Sequence, residues 1–262
     1  DGFISAPIHS PVSGKVKKIG KFPNVSGLLT DSIQIERDIN IEPKKWVRNK
    51  KTNITNEEFV EIVKNKGIVG LGGAGFPTYV KFLKKEGAVI DTILINACEC
   101  EPYLNVDYRA MIEETSMFLE GLNLIKNQTQ ATKIVVGIED NKPKAIKLLS
   151  SKIQNDSNIE VVALKTKYPQ GGEKMLVKAA LNRTVPRGGL PLDVGVVVVN
   201  VNTVIAIAKA VCFDQPILEK VITVSGGGVN IPKNLRVKIG TKFSEVLDFC
   251  GGTNNRMERL VV

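Results

Sequence analysis

Aromatic side chains are scarce, 5% of 262 residues, and the chain has one tryptophan, Trp46, and one histidine, His9. No basic block is interleaved with aromatics, so there is no stacking platform for a nucleic acid strand, and the net charge of +9 reads as a solvated surface. His9 has no Asp, Glu or Cys beside it and reads as a turn or packing residue rather than a base or metal ligand. Cysteines are few and unevenly placed, at 98, 100, 212 and 250, which excludes a secreted disulfide framework and points to a reducing compartment. No apolar run reaches the roughly 18 residues that a spanning helix needs. The longest, GVVVVNVNTVIAIAKAV, is interrupted by Asn200 and Asn202. A basic leader is also lacking; residue 1 is Asp, and the chain opens inside a β-rich stretch, as expected of a fragment.

The 43% hydrophobic content is ample for a packed core, and its distribution predicts three parts. Residues 1–40 are a β module, with Ile4, Val16, Ile19, Ile33 and Ile35 in two-residue alternation between Pro and Gly turns. Residues 41–216 alternate helices with wholly apolar strands, the pattern of a Rossmann-like parallel α/β core. Here a helix capped by Thr55 or Asn56 ends near Gly67, and another is expected over Thr78–Glu86, ending at Gly87. The strand DTILINA and the acidic loop CECEPY follow, then one long helix from Asp107 to Lys126. Residues 217–262 read strand, turn, strand, helix, as in a β-grasp module.

The stretch 67–103 carries the strongest functional signal. Gly70, Gly72, Gly73 and Gly75 leave a backbone almost bare of side chains ahead of the expected helix, so main-chain N–H groups can approach a phosphate, with Lys81 one turn away. This is not the G-x-G-x-x-G dinucleotide fingerprint in its usual place, because the strand follows the helix. Gly171 and Gly172 repeat the device ahead of a helix beginning near Glu173, and Asn200 ends a buried strand. Ligands of parallel sheets gather beyond the carboxyl ends of the strands, which selects the loops at 96–103, 165–173 and 200–203. Glu99 and Glu101 suit binding of ribityl or ribose hydroxyls better than proton transfer, since no nucleophile or partner base accompanies them. Cys98 and Cys100 lack partners for a four-ligand metal set and read as inert thiols.

Five motifs in order, GLGGAGFPTYVK at 70–81, INACECEPY at 95–103, YPQGGEK at 168–174, VPRGGLP at 185–191 and VVNVNT at 198–203, resemble the C subunit of the Rnf electron transport complex. That family is a relative of the FMN- and NADH-binding flavoprotein subunit of respiratory complex I. The resemblance implies a partial barrel-sandwich hybrid domain at 1–40, an FMN/NADH-binding domain at 41–216 and a truncated soluble-ligand-binding β-grasp domain at 217–262. It implies that Gly70, Gly72, Gly73 and Gly75 pack on the flavin and its phosphate with Lys81 nearby, and that Phe76 helps to position the nicotinamide. Asn96, Glu99 and Glu101 would line the FMN pocket, Tyr168, Gly171 and Glu173 would form a second wall, and Asn200 and Thr203 would close it. Cys98, Gly172 and Asn202 depart from the complex I flavoprotein, which has acidic residues at these places.

The function so implied is an NADH-linked flavin oxidoreductase subunit, passing electrons between NAD(H) and iron–sulfur carriers through FMN, at the cytoplasmic side of the membrane among other subunits of the complex. Two 4Fe-4S clusters are expected only in the full-length protein, because neither Cys212 nor Cys250 has C-x₂-C-x₂-C spacing. The same resemblance extends to a proline reductase-associated electron-transfer protein and to a cobalamin reductase. A reading of another class is a non-catalytic docking subunit held to membrane partners by its β modules and basic surface.

Overall fold

A computed structural model describes the chain except residues 1, 3, 25, 50–52, 84–88 and 130. In chain order its regular elements are β1 (Gly14–Pro23), β2 (Leu29–Arg37), α1 (Asn56–Asn65), a 3-10 helix (Thr78–Phe82), β3 (Thr92–Ala97), α2 (Val106–Glu113) and α3 (Thr115–Thr129). Then come β4 (Lys133–Glu139), α4 (Pro143–Ile153), β5 (Ile159–Leu164), α5 (Glu173–Leu181), a second 3-10 helix (Pro191–Val194), β6 (Val196–Asn200) and α6 (Val201–Phe213). The last are β7 (Glu219–Val224), β8 (Lys233–Lys238) and α7 (Phe243–Phe249). The contacts separate into two compact units, residues 1–8 with 48–217 and residues 9–47 with 218–262.

The first unit is built on a parallel sheet of four strands in the order β5-β4-β3-β6. Its strands are apolar throughout because both faces are covered. Ile93, Ile95, Ile134, Ile138, Val197 and Val199 face the larger core with α1, α2, α3, α4 and α6, whereas Leu94, Val135, Val196 and Val198 face Leu176 and Val177 of α5. The chain moves outward from β3 through β4 to β5 and then returns to place β6 on the other side of β3. That reversal puts a topological switch point at the carboxyl ends of β3 and β6, the usual place for a ligand crevice in an open α/β sheet.

Two expectations need correction here. The helix expected over Thr78–Glu86 is a five-residue 3-10 turn, with Leu83 already extended; Glu86 and Gly87 lie outside the described residues. Thr78, Tyr79 and Phe82 are buried within this turn, and Phe82 meets Phe59 of α1 edge to face at 5.3 Å. Packing of these rings, rather than helical propensity, sets its shape. The single helix expected from Asp107 to Lys126 is broken at Glu114 into α2 and α3. At the break the Thr115 hydroxyl donates to the carbonyls of Met111 (2.7 Å) and Ile112 (3.1 Å), a local bond that competes with the regular ladder. Between the two capping choices at α1 the structure selects Thr55, which forms a reciprocal capping box with Glu58.

The second unit has two antiparallel hairpins. In one, β1 pairs with β2 and sets Val16 opposite Ile35 and Ile19 opposite Ile33, with an irregularity between Val16 and Lys18. In the other, β7 pairs with β8, and α7 follows with Val246 and Cys250 buried. Lys238 donates to the Pro11 carbonyl at 2.9 Å, a link between the second hairpin and the segment leading into the first.

Candidate functional site

The glycine loop is closed at its base and open at its tip. An isolated antiparallel bridge joins Val69 to Pro77, the Gly70 N–H donates to the Phe76 carbonyl (2.8 Å), and the Gly75 N–H donates to the Gly70 carbonyl (3.2 Å). Gly73 and Gly75 have φ of +122° and +62°, conformations that L side chains resist, and a Cβ on either would meet nothing within 4 Å. Gly72, Gly73 and Ala74 are exposed, and among the described residues their N–H groups have no acceptor. Since only a short 3-10 turn follows, these N–H groups, and not a helix dipole, are what the loop offers an anion. Leu71 N–H donates to Thr203 Oγ1 at 2.9 Å, which ties the loop to the start of α6. Phe76 stands at the rim, 37% exposed.

Asn96 and Asn200 are register partners at the carboxyl ends of β3 and β6, directly at the switch point. Both use their amides to clasp loops. Asn96 Nδ2 donates to the Gly171 carbonyl (2.8 Å) and its Oδ1 accepts from the Cys98 N–H (3.2 Å). Asn200 Oδ1 caps α6 by accepting from the N–H groups of Asn202 (2.9 Å) and Thr203 (3.4 Å), while its Nδ2 donates to Asp107 Oδ2 (2.7 Å). The loop after β5 thereby crosses β4 to reach β3.

Gly171 is the tightest point of that crossing. Its N–H donates to Cys100 Sγ at 2.7 Å, and a Cβ there would stand 2.7 Å from both Cys100 Sγ and the Cys98 carbonyl oxygen. The neighbouring Gln170 is 2% exposed and its Nε2 has no partner among the described residues, while Tyr168 is exposed. Lys81 does not stand free: its Nζ lies 2.8 Å from Glu173 Oε1 and 2.9 Å from the Val198 carbonyl, bridging the 3-10 turn, α5 and β6.

Within the acidic loop, Glu101 is exposed and Glu99 is not. The Glu99 carboxylate accepts from the N–H groups of Asp107 (2.8 Å) and Tyr108 (3.4 Å) at the first turn of α2, with Lys142 Nζ 3.8 Å away. Burial, reinforced by the nearby Asp107 carboxylate, raises its pKa to about 7. Its own N–H donates to Glu139, a buried carboxyl also shifted upward by burial. Burial, with the surrounding acids, pushes the Cys98 thiol up to about 12, so this sulfur stays protonated and packs near the Gly137 carbonyl. Among the described residues no three His, Cys, Asp or Glu side chains converge as metal ligands.

The structure thus gathers Gly72, Thr203, Asn200, Asn96 and Gly171 around the switch point, joins Lys81 to Glu173, and turns Glu99 away from solvent. Residues missed from sequence are Asp107, buried between Asn200 and Asn202, and Gln170. An aspartate in the first turn of a helix is too common to signal itself.

Comparison with known proteins gives this arrangement a class. The family described as the Nuo51 FMN-binding domain matches residues 63–209, the SLBB domain matches 221–260, and the RnfC barrel sandwich hybrid domain matches 1–40. The fold is similar to a chain of an NAD+-reducing [NiFe]-hydrogenase in its H2-reduced state (TM-score 0.64, 22% identity, 76% of this chain and 39% of that one). The air-oxidised state of such a hydrogenase gives 0.59 at 23% identity, with the same coverage. The C subunit of the proton-translocating ferredoxin:NAD(+) oxidoreductase complex of Clostridium ljungdahlii is 42% identical over all of this chain and 57% of its own length. Its counterpart in the Na(+)-translocating complex of Acetobacterium woodii is 38% identical over all of this chain and 59% of its own. The chain belongs to the family of C subunits of Rnf-type ion-translocating oxidoreductase complexes. It spans somewhat more than half the length of these relatives.

Proposed function

We propose that the first unit binds FMN at the β3–β6 switch point and passes electrons between NAD(H) and iron–sulfur carriers, as one member of a membrane-associated ion-translocating complex. The observation that carries this reading is a glycine loop whose three exposed N–H groups have no acceptor among the described residues, above two register-paired asparagines that clasp the surrounding loops. The residues fit the flavin: Gly72 leaves room where a Cβ would press on Asn200 at 3.3 Å, and the buried Gln170 Nε2 still needs an acceptor.

In this reading Gly72, Gly73 and Ala74 hold the phosphate through backbone N–H groups, and Gly70 and Gly75 set the loop's shape. Thr203 fixes that loop to α6 by accepting from Leu71. Asn96 and Gly171 form the opposite wall, with Tyr168, Glu101 and Phe76 exposed at the rim for the nicotinamide dinucleotide. Lys81 and Glu173 join the two walls, and Glu99 anchors the acidic loop to α2. Bound FMN would supply the redox chemistry, taking a hydride from NADH and releasing its electrons singly. Further iron–sulfur carriers, two 4Fe-4S clusters among them, belong to the remainder of the full protein and to partner subunits. No helix among the described residues is long and apolar enough to cross a membrane, and the proposed place is peripheral, on the cytoplasmic side, docked on membrane subunits.

The test is reconstitution with FMN, followed by titration with NADH while the oxidised flavin band near roughly 450 nm is recorded. Retained flavin that bleaches with NADH is the expected result. A chain that retains no flavin overturns the reading, and flavin that NADH leaves oxidised removes its nicotinamide half.

A further inference from the structure

We propose that Asp107 is a positioning residue: it holds the Asn200 side chain in a single orientation and, through it, sets the glycine loop to receive the flavin. The inference rests on the FMN reading of this site and extends it to a side chain outside the motifs. Asp107 is 8% exposed and receives one amide on each oxygen, Asn202 Nδ2 on Oδ1 at 2.6 Å and Asn200 Nδ2 on Oδ2 at 2.7 Å. An Asn amide has one acceptor end and one donor end, and which way round it sits is decided by its partners. For Asn200 the acceptor end is committed to the N–H groups of Asn202 and Thr203, so the donor end needs an acceptor, and Asp107 provides it. The Asn200 Cβ, Cγ and Nδ2 lie 3.3–3.4 Å from where a Gly72 Cβ would stand, so the Asn200 side chain packs directly beside the loop at its one position without room for a further carbon. Thr203, in the same helical turn, accepts from Leu71 at the loop's other flank. Asp107 is itself fixed, since its N–H donates to Glu99. One residue therefore connects the acidic loop, through its backbone N–H, with the cap of α6, through its carboxylate, and Asn200 carries that link on to the glycine loop.

The chemistry separates the variants. In D107N an oxygen still accepts from Asn200, and Asn202 can turn its amide to accept from the new NH₂ group; in D107A both amides lose their partner. FMN affinity is measured by flavin fluorescence quenching, and amide hydrogen exchange of residues 70–77 is measured on the flavin-free chain. The expected result is about a tenfold or greater rise in FMN Kd for D107A, the size typical of a lost hydrogen bond to a charged group, with D107N within about threefold of the original. Exchange in 70–77 speeds up in D107A and not in D107N. Adding D107A to N200A should cost less than about twofold further, because the two residues act as one unit. A D107A loss that is undiminished in the N200A background, or a D107A chain with unchanged affinity and loop exchange, overturns the proposal. If the unaltered chain binds no FMN, the FMN reading falls on its own, and the exchange comparison still decides whether Asp107 sets the loop.

Discussion

The two glycine loops of the α/β unit share a composition and differ in what glycine does for them. At 70–75 glycine supplies conformation: Gly73 and Gly75 have positive φ with open space where side chains would stand. At 171 it supplies absence, because the space of a Cβ is filled by Cys100 Sγ and the Cys98 carbonyl, both 2.7 Å away. On the proposed reading the first loop is a surface for a ligand. The second is a joint between the loops that follow β3 and β5. Glycine-rich motifs that look alike in sequence can therefore fail in opposite ways, one by strain and the other by collision.

The most damaging way to test that contrast is G171A. The Cβ collides with a backbone oxygen that cannot rotate away, so the acidic loop has to move, at a cost of about 3 kcal/mol or more. Flavin retention should be lost with it. C100A added to G171A relieves only the sulfur and should recover only part of the thermal stability; full recovery would show that the Cys98 carbonyl is not the obstacle.

Next is the titration of Glu99, which fixes the acidic loop on which the joint rests. Its folded pKa, about 7, is above the ordinary value of 4.5, so between these values the folded chain holds a proton that the unfolded chain releases. Stability from this group is fully present below pH 4.5 and is lost as pH rises through 7, on the order of 3 kcal/mol in all. Urea unfolding of the wild-type chain and E99Q at several pH values should show the difference moving in favour of E99Q as pH rises. Parallel pH profiles would remove the assignment.

A smaller effect is expected of G73A. The substitution meets no atom, so its cost is the positive φ alone, about 1–2 kcal/mol, and the chain should remain folded with a lowered Tm and weaker FMN binding. A loss as large as that of G171A would abolish the distinction between the loops. Smallest is K81A, which breaks the bridge between the walls. Lys81 and Glu173 are both partly exposed, so the stability loss should stay under about 1 kcal/mol in a denaturant titration, and a larger loss would mean that the ion pair is a main fastener of the crevice.

The strands of the sheet are legible in the sequence because a sheet covered on both faces writes itself as apolar runs, as in Thr92–Ala97 and Val196–Asn200. The asparagines at the strand ends are legible as candidate site residues, but their work as clasps is not, since it depends on carbonyls as far as 75 residues away, as for Asn96 and Gly171. The turn after the glycine loop reads wrongly as a helix because the burial of Tyr79 and Phe82 overrides local propensity. The break at Glu114 is invisible because it rests on a hydroxyl of Thr115 choosing backbone partners. Asp107 has no signal in sequence at all, its bonds to Asn200 and Asn202 arising only where α2 meets α6.

Lys81 also bears on assembly. Strand β6 lies at an edge of the sheet, and edges invite pairing with strands of other molecules. The Lys81 ammonium sits on the Val198 carbonyl within that strand, with Glu173 holding it there. An incoming strand would have to displace a paired cation to gain that acceptor, an obstacle of the kind that sheet edges use against unwanted pairing.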